Sequence, residues 1–76
     1  MQPAPPPWIL HARRELGNRI RDARLHADLT QEELALQAGI DRTTVQVTEA
    51  GKTDPKFSLL LRLARALHVP VKDLMP

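Results

Sequence analysis

The stretch TQEELALQAGIDRTTVQVTEAG, Thr30 to Gly51, decides how this chain folds. It opens with a capping box. Thr30 can accept from the amide three residues on, while Glu33 reaches back to the Thr30 amide, so two donors of a helix start are satisfied at once. The spacing predicts a helix from Gln31 to Ala38 that buries Leu34, Ala35 and Ala38. Gly39 then supplies the left-handed residue that ends it, and Ile40, apolar inside the turn, should pack inward. Asp41 is a good N-cap for a third helix running through Ala50, which Gly51 closes. The threonines and valines of that helix make it intrinsically weak, so packing must hold it. Two short helices joined through one glycine can stand at a steep angle, the arrangement that pushes a second helix into a DNA groove. The same corner also occurs in any small helical bundle.

Upstream, residues 8–27 read as a helix rich in Arg, Leu and Ala, with Leu16, Ile20 and Ala23 on one face and Gly17 as a tolerated weak spot. Residues 1–7 hold four of the seven prolines and are expected to form an extended, disordered arm. Downstream, Asp54-Pro55 reads as the cap and first-turn proline of a fourth helix ending near His68. Its expected buried stripe is Phe57, Leu60, Leu61, Ala64 and Leu67. Val69-Pro70 breaks the pattern, and Val71, Leu74 and Met75 suit a last short helical turn. No segment alternates with period two. The expected fold is all-α, a compact five-helix bundle forming one domain over residues 8–76, with the helix-turn-helix at about 31–50.

Composition removes most other functions. The chain has 76 residues and no cysteine, so neither a disulfide nor a thiolate zinc site supports it. His11, His26 and His68 stand too far apart in sequence for a metal motif. No apolar run approaches the ~20 residues of a membrane span, and the N-terminus lacks the positive segment of a signal peptide. A soluble, cytoplasmic domain is expected, with no metal, no cofactor, no membrane partner and no evident small-molecule ligand. No Ser, Cys, His or paired-carboxylate constellation supports catalysis, and there is no glycine-rich phosphate loop. The net charge is only +2, but it is uneven. Residues 8–26 carry five arginines against Glu15 and Asp22, residues 27–40 carry three acids and no cation, and residues 41–56 balance. Any nucleic-acid contact must therefore be a focused surface.

The segments LGNRIRDAR, LTQEELALQAG, Glu49-Ala50-Gly51-Lys52 and LLRLARALHVPVKDL together resemble the Cro/phage-repressor (XRE-like) helix-turn-helix proteins, from about Leu16 to Met75. In that family's core pattern the apolar positions fall on Leu34, Ala38, Ile40, Val45 and Thr48, and the small and turn positions on Ala35 and Gly39. The resemblance implies a five-helix DNA-binding domain that works as a dimer in transcription control. Three residues depart from the pattern. Asp28 replaces the usual glycine after the first helix, Thr48 stands where a large aliphatic residue is expected, and Val47 stands where a polar DNA contact is common.

The outward face of the third helix supplies the candidate base readers Arg42, Thr43, Gln46 and Val47. Arginine can bond guanine O6 and N7 together, glutamine can pair with adenine, and valine or threonine methyls can meet the thymine methyl. Asp41, beside Arg42, is expected either to restrain or to neutralise it. By resemblance Gln31 meets phosphate, at a helix start whose amides also attract it; Thr30 is a further phosphate candidate, and Thr44 is expected to be a phosphate or packing residue. By resemblance, Lys52 and Lys56 lie against the DNA backbone, and Arg24 and Glu49 form the pair that ties the first helix to the end of the recognition helix. Leu25, Leu59 and Trp8-Ile9-Leu10 are surplus apolar residues that point to a homodimer, or to Trp8 folding back over its own domain. Two functions follow. One is a sequence-specific regulator that binds double-stranded DNA. The other is a protein-interaction, antitoxin-like module that keeps the scaffold but binds DNA weakly, which the neutral charge of 41–56, Val47 and Thr48 favour.

Overall fold

The computed structural model describes residues 3–76 and contains, among them, four α-helices and one short 3-10 turn. The helices are α1 (Pro7–His26), α2 (Gln31–Ala38), α3 (Arg42–Glu49) and α4 (Phe57–Leu67). A single 3-10 turn, Val71–Asp73, stands where a fifth helix was expected. Pro7 already occupies the first turn of α1, where its missing amide costs nothing, so the non-helical arm is one residue shorter than expected. The first two residues of that arm lie outside the described residues.

One core joins all the elements. Leu16 and Ile20 of α1, Leu34, Ala35 and Ala38 of α2, Val45 of α3, five residues of α4 and Leu74 beyond it are buried together. Ile40 packs against this cluster from the turn, as its apolar character required. The stripe of α4 differs from expectation: Leu60, Leu63, Ala64, Ala66 and Leu67 are buried, while Phe57 and Leu61 are exposed. The run Leu59-Leu60-Leu61 allows two helical phases, and the packing of α2 and α1 selects the one that buries Leu63. The start of α4 also moves. Lys56, with extended backbone and no side-chain cap, precedes the first helical residue Phe57, so Asp54-Pro55 belongs to the preceding loop.

All four helices end in a similar way. An amide two or three residues past each helix end bonds back to a carbonyl of the last turn: Leu29 to Arg24, Ile40 to Ala35, Lys52 to Val47 and Val69 to Ala64, at 3.0–3.1 Å. Each closure needs one residue with positive φ. Gly39 and Gly51 supply it at φ 70° and 71°, and Asp28 and His68 at 57° and 58°. The awkwardness of Asp28 seen in the sequence is therefore real, and His68 shares it.

Gly17 is no weak spot. A Cβ built there would stand 2.3 Å from the Glu49 carbonyl oxygen and 2.7 Å from that of Thr48. The backbones of α1 and α3 cross at this point, and only hydrogen fits between them. Thr48 is likewise better placed than its sequence suggests. It is buried, and its hydroxyl donates to the Thr44 carbonyl at 2.7 Å, so no polar group is stranded.

Candidate nucleic-acid interface

Three of the elements that meet at the start of α2 are fastened by one carboxylate. Glu49, the last residue of α3, accepts from Arg24 Nε at 2.7 Å and Arg24 Nη2 at 3.1 Å. Gln31, the first residue of α2, donates its Nε2 to the same carboxylate at 3.1 Å. The third guanidinium nitrogen of Arg24 donates to the Leu29 carbonyl in the α1–α2 connection at 2.9 Å. Arg24 and Glu49 are both buried, at 9% and 8% exposure. A planar fork fixes the angle of a carboxylate as well as its distance, so this network sets the orientation of α3 relative to α1 and α2. The expected Arg24–Glu49 pair is thus brought together, with Gln31 and Leu29 as members the sequence did not reveal.

The two helix starts are capped as read. Thr30 Oγ1 accepts from the Glu33 amide at 3.0 Å, and Glu33 accepts from the Thr30 amide at 2.9 Å. The Thr30 amide, and then its hydroxyl, hold the Glu33 carboxyl below its usual range. Asp41 accepts from the Thr44 amide at 2.7 Å and the Thr44 hydroxyl at 2.8 Å, which hold its carboxyl low in the same way. Both bonds use Asp41 Oδ1, and Arg42 makes no ion pair with Asp41 within 4 Å. The same bond commits the Thr44 hydroxyl proton to the cap, so Thr44 serves the helix start rather than presenting a free donor.

On α3, Arg42, Thr43 and Gln46 are exposed and Val47 is half-buried. Their spacing puts them on one side of the helix. Arg42 lines a shallow groove with Arg24, Thr30, Gln31 and Glu32. Gln46 lines a second groove with Arg21, Arg24, Gln31, Glu49 and Ala50. Gln31 and Arg24 belong to both, so the N-terminus of α2 and the outer side of α3 form one continuous polar surface. Arg21 is a basic member that the sequence reading counted only as charge; its position three residues before Arg24 puts the two on adjacent rows of α1. Lys52 and Lys56 are exposed on the α3–α4 loop and line neither groove. That loop is seated on α1, since a Cβ at Gly51 would stand 3.0 Å from the Arg14 Cα. Among the described residues no group of His, Cys, Asp and Glu could hold a metal ion, and no helix is long and apolar enough to cross a membrane.

A packed helix pair with a capped first helix, a left-handed glycine between them and an exposed polar side on the second matches a known family. The HTH_3 helix-turn-helix model matches residues 20–74. The chain belongs to the HTH_3 family. An HTH-type transcriptional regulator of Archaeoglobus fulgidus is 39% identical over 59 residues, which are 78% of this chain and 84% of the relative. The cryptic phage CTXphi transcriptional repressor RstR of Vibrio cholerae is 36% identical over 59 residues, 78% of this chain and 53% of its own length. Among solved structures, the restriction-modification controller protein C.AhdI from Aeromonas hydrophila superposes with a TM-score of 0.80 at 34% identity, covering 82% of this chain and 94% of that one. The hypothetical transcription factor NHTF from Neisseria superposes with a TM-score of 0.83 at 33% identity, covering 100% of this chain and 87% of that one. This HTH_3 chain is therefore a member of a family of helix-turn-helix transcriptional regulators, with an all-helical fold.

Proposed function

We propose that this HTH_3 protein is a sequence-specific regulator that binds double-stranded DNA in the cytoplasm, with α3 in the major groove. The carrying observation is the Arg24–Glu49–Gln31 network, which holds the outer side of α3 beside the start of α2. On that reading Arg42, with no ion-pair partner within 4 Å among the described residues, is the principal base reader. Thr43, Gln46 and Val47 follow along the groove. Gln31 and Thr30 meet phosphate at the α2 start, where one Nε2 hydrogen of Gln31 remains for the DNA. Lys52 and Lys56 add backbone contacts through the α3–α4 loop.

The working form is a homodimer on a near-palindromic operator, with half-sites about one helical turn apart, ~34 Å. An eight-residue reading helix spans few base pairs, and the molecule exposes Trp8 (72%), Phe57 (60%), Leu61 and Met75, apolar surface that a second copy would cover. Trp8 does not fold back over its own domain. The buried, hydrogen-bonded Thr48 removes one argument for a weakly binding interaction module.

The test is an operator selected from random duplex, then titrated with two variants. Arg42→Ala should cost ~1–3 kcal/mol on that operator and flatten the preference at one base pair per half-site. Lys52→Ala should weaken all duplexes alike and reduce the salt slope by about one. Equal losses for Arg42→Ala on selected and scrambled DNA would make Arg42 a phosphate contact. A selection that enriches no sequence would return the chain to the antitoxin-like reading.

A further inference from the structure

A second concave site lies at the other end of α2 from Gln31, where the C-terminal turns of α2 and α4 meet. This groove has a volume of about 620 Å3 and is lined by Gln37, Ala38, Arg62, Arg65, Ala66 and His68. The groove is open to solvent, and its four polar side chains, Gln37, Arg62, Arg65 and His68, are all exposed. Its chemistry is one-sided. The walls hold two guanidinium groups, an imidazole and an amide, and no carboxylate. Among the described residues, none of these four side chains has a hydrogen-bond or ion-pair partner, a property Arg62 and Arg65 share with Arg14, Arg21 and Arg42, whereas each nitrogen of Arg24 has a partner and Arg13 and Arg19 have one each. The floor is Ala38 and Ala66, small enough for an occupant to sit close to both helices.

The helix ends themselves bear on the sign of the site. Two C-termini converge here, each equivalent to roughly half a negative charge. Two full guanidinium charges exceed that sum by about one, and His68 adds donor capacity. The groove is thus a net cationic, donor-rich concavity in spite of its position. Its backbone is also unusual. His68 adopts φ 58°, the left-handed conformation for which two of the other three helix ends use glycine. The helix-end closure from Val69 to Ala64 requires that conformation, as the corresponding closure does at Asp28.

We propose that this groove binds a phosphate-bearing small molecule, with the phosphoryl oxygens held by Arg62 and Arg65 and with Gln37 and His68 donating at the rim. Occupancy would be felt at the helix-turn-helix corner, because Arg62 Nη1 lies over Gly39, 3.3 Å from where a Cβ would stand. Phosphate on DNA offers the same chemistry, so the experiment separates the two sources.

The full chain is titrated with sodium pyrophosphate at constant pH and ionic strength, and amide shifts are followed by NMR, with sodium chloride as the control. Saturating shifts at Gly39, Ala66 and His68, together with a higher melting temperature, are expected for pyrophosphate and not for chloride. The Arg62→Gln/Arg65→Gln double variant should keep the wild-type far-UV spectrum and lose both responses. Shifts that are linear in concentration, equal for chloride, or unchanged in the double variant would overturn the proposal. The DNA arm uses phosphate-free buffer. If the double variant binds duplex as wild type does, the site serves a small ligand. If it loses affinity and salt slope as Lys52→Ala does, the arginines belong to the DNA footprint and the proposal fails. The pyrophosphate titration contains no DNA, so its failure leaves the DNA-binding reading standing.

Discussion

Helix α4 buries Leu60, Leu63, Ala64, Ala66 and Leu67, all apolar, and α1 contributes Leu16 and Ile20 to the same cluster. Helix α3, which runs just before α4 in the chain, buries Val45, Thr48 and Glu49. The first is held by area removed from water. The second has one apolar anchor, a carboxylate clamped by Arg24 and Gln31, and a backbone pressed against Gly17. Burial is non-directional, whereas a forked hydrogen bond and a backbone contact each specify an angle. The difference suits a division of labour in which α4 and α1 supply stability and α3 receives a direction.

The largest expected effect tests the first half of that contrast. Leu63 is fully buried, so Leu63→Ala should cost about 4 kcal/mol in a urea melt, close to the whole stability of a chain this small. A cost below about 1 kcal/mol would mean that α4 is not the anchor. Next is Glu49→Ala, which strands the Arg24 guanidinium and should cost about 3 kcal/mol. Here operator affinity of the remaining folded protein should fall as well, because α3 loses its orientation. Unchanged affinity after correction for unfolded protein would show that the network does not direct α3, and a loss of stability within about 0.5 kcal/mol would place the pair in the surface class.

Gly17→Ala separates helix propensity from packing. Propensity alone promises a gain of roughly 1 kcal/mol, but the methyl group must push two carbonyls of α3 aside. The expected outcome is a loss of about 2 kcal/mol, read from the denaturation midpoint; a stabilised variant would mean the two backbones separate freely. The smallest effect lies at the helix ends. Asp28→Gly should stabilise by roughly 0.5–1 kcal/mol by relieving the left-handed residue, and should leave DNA binding unchanged since Asp28 touches neither groove. A destabilised variant would show that the aspartate side chain contributes more than its strain costs.

Much of this molecule was legible before its structure. The Thr30/Glu33 capping box, the left-handed Gly39 and the inward Ile40 are local, and local rules suffice for them. The Arg24–Glu49 pair was legible only through resemblance, since 25 positions separate its members and no periodicity links them. What escaped is tertiary. Gly17 looked like a propensity defect because the α3 backbone that needs it lies far along the chain. The three successive leucines at 59–61 left the phase of α4 open, so Leu63 was missed and Phe57 and Leu61 were placed inside. The bond from Gln31 to Glu49 was invisible for the same reason, although it bears directly on how much of Gln31 remains for phosphate.

The shared way in which the helices end has a consequence for how quickly the chain can reach its final form. The connections between successive helices are short, at four, three and seven residues, and every one begins with a closure that turns the backbone within a few positions. Closing each connection therefore carries little loop-closure cost, but among the helices only the neighbours α2 and α3 pack broadly on each other; the rest of the packing is of α1 on α3 and α4, and of α2 on α4. The crossing of Gly17 under Glu49 joins points 32 positions apart (49 minus 17) and admits no slack. Small helical proteins with local contacts fold in microseconds to milliseconds. In this one, α3 reaches its final direction only when α1 has docked beneath it, because Gly17 and Arg24 both lie on α1.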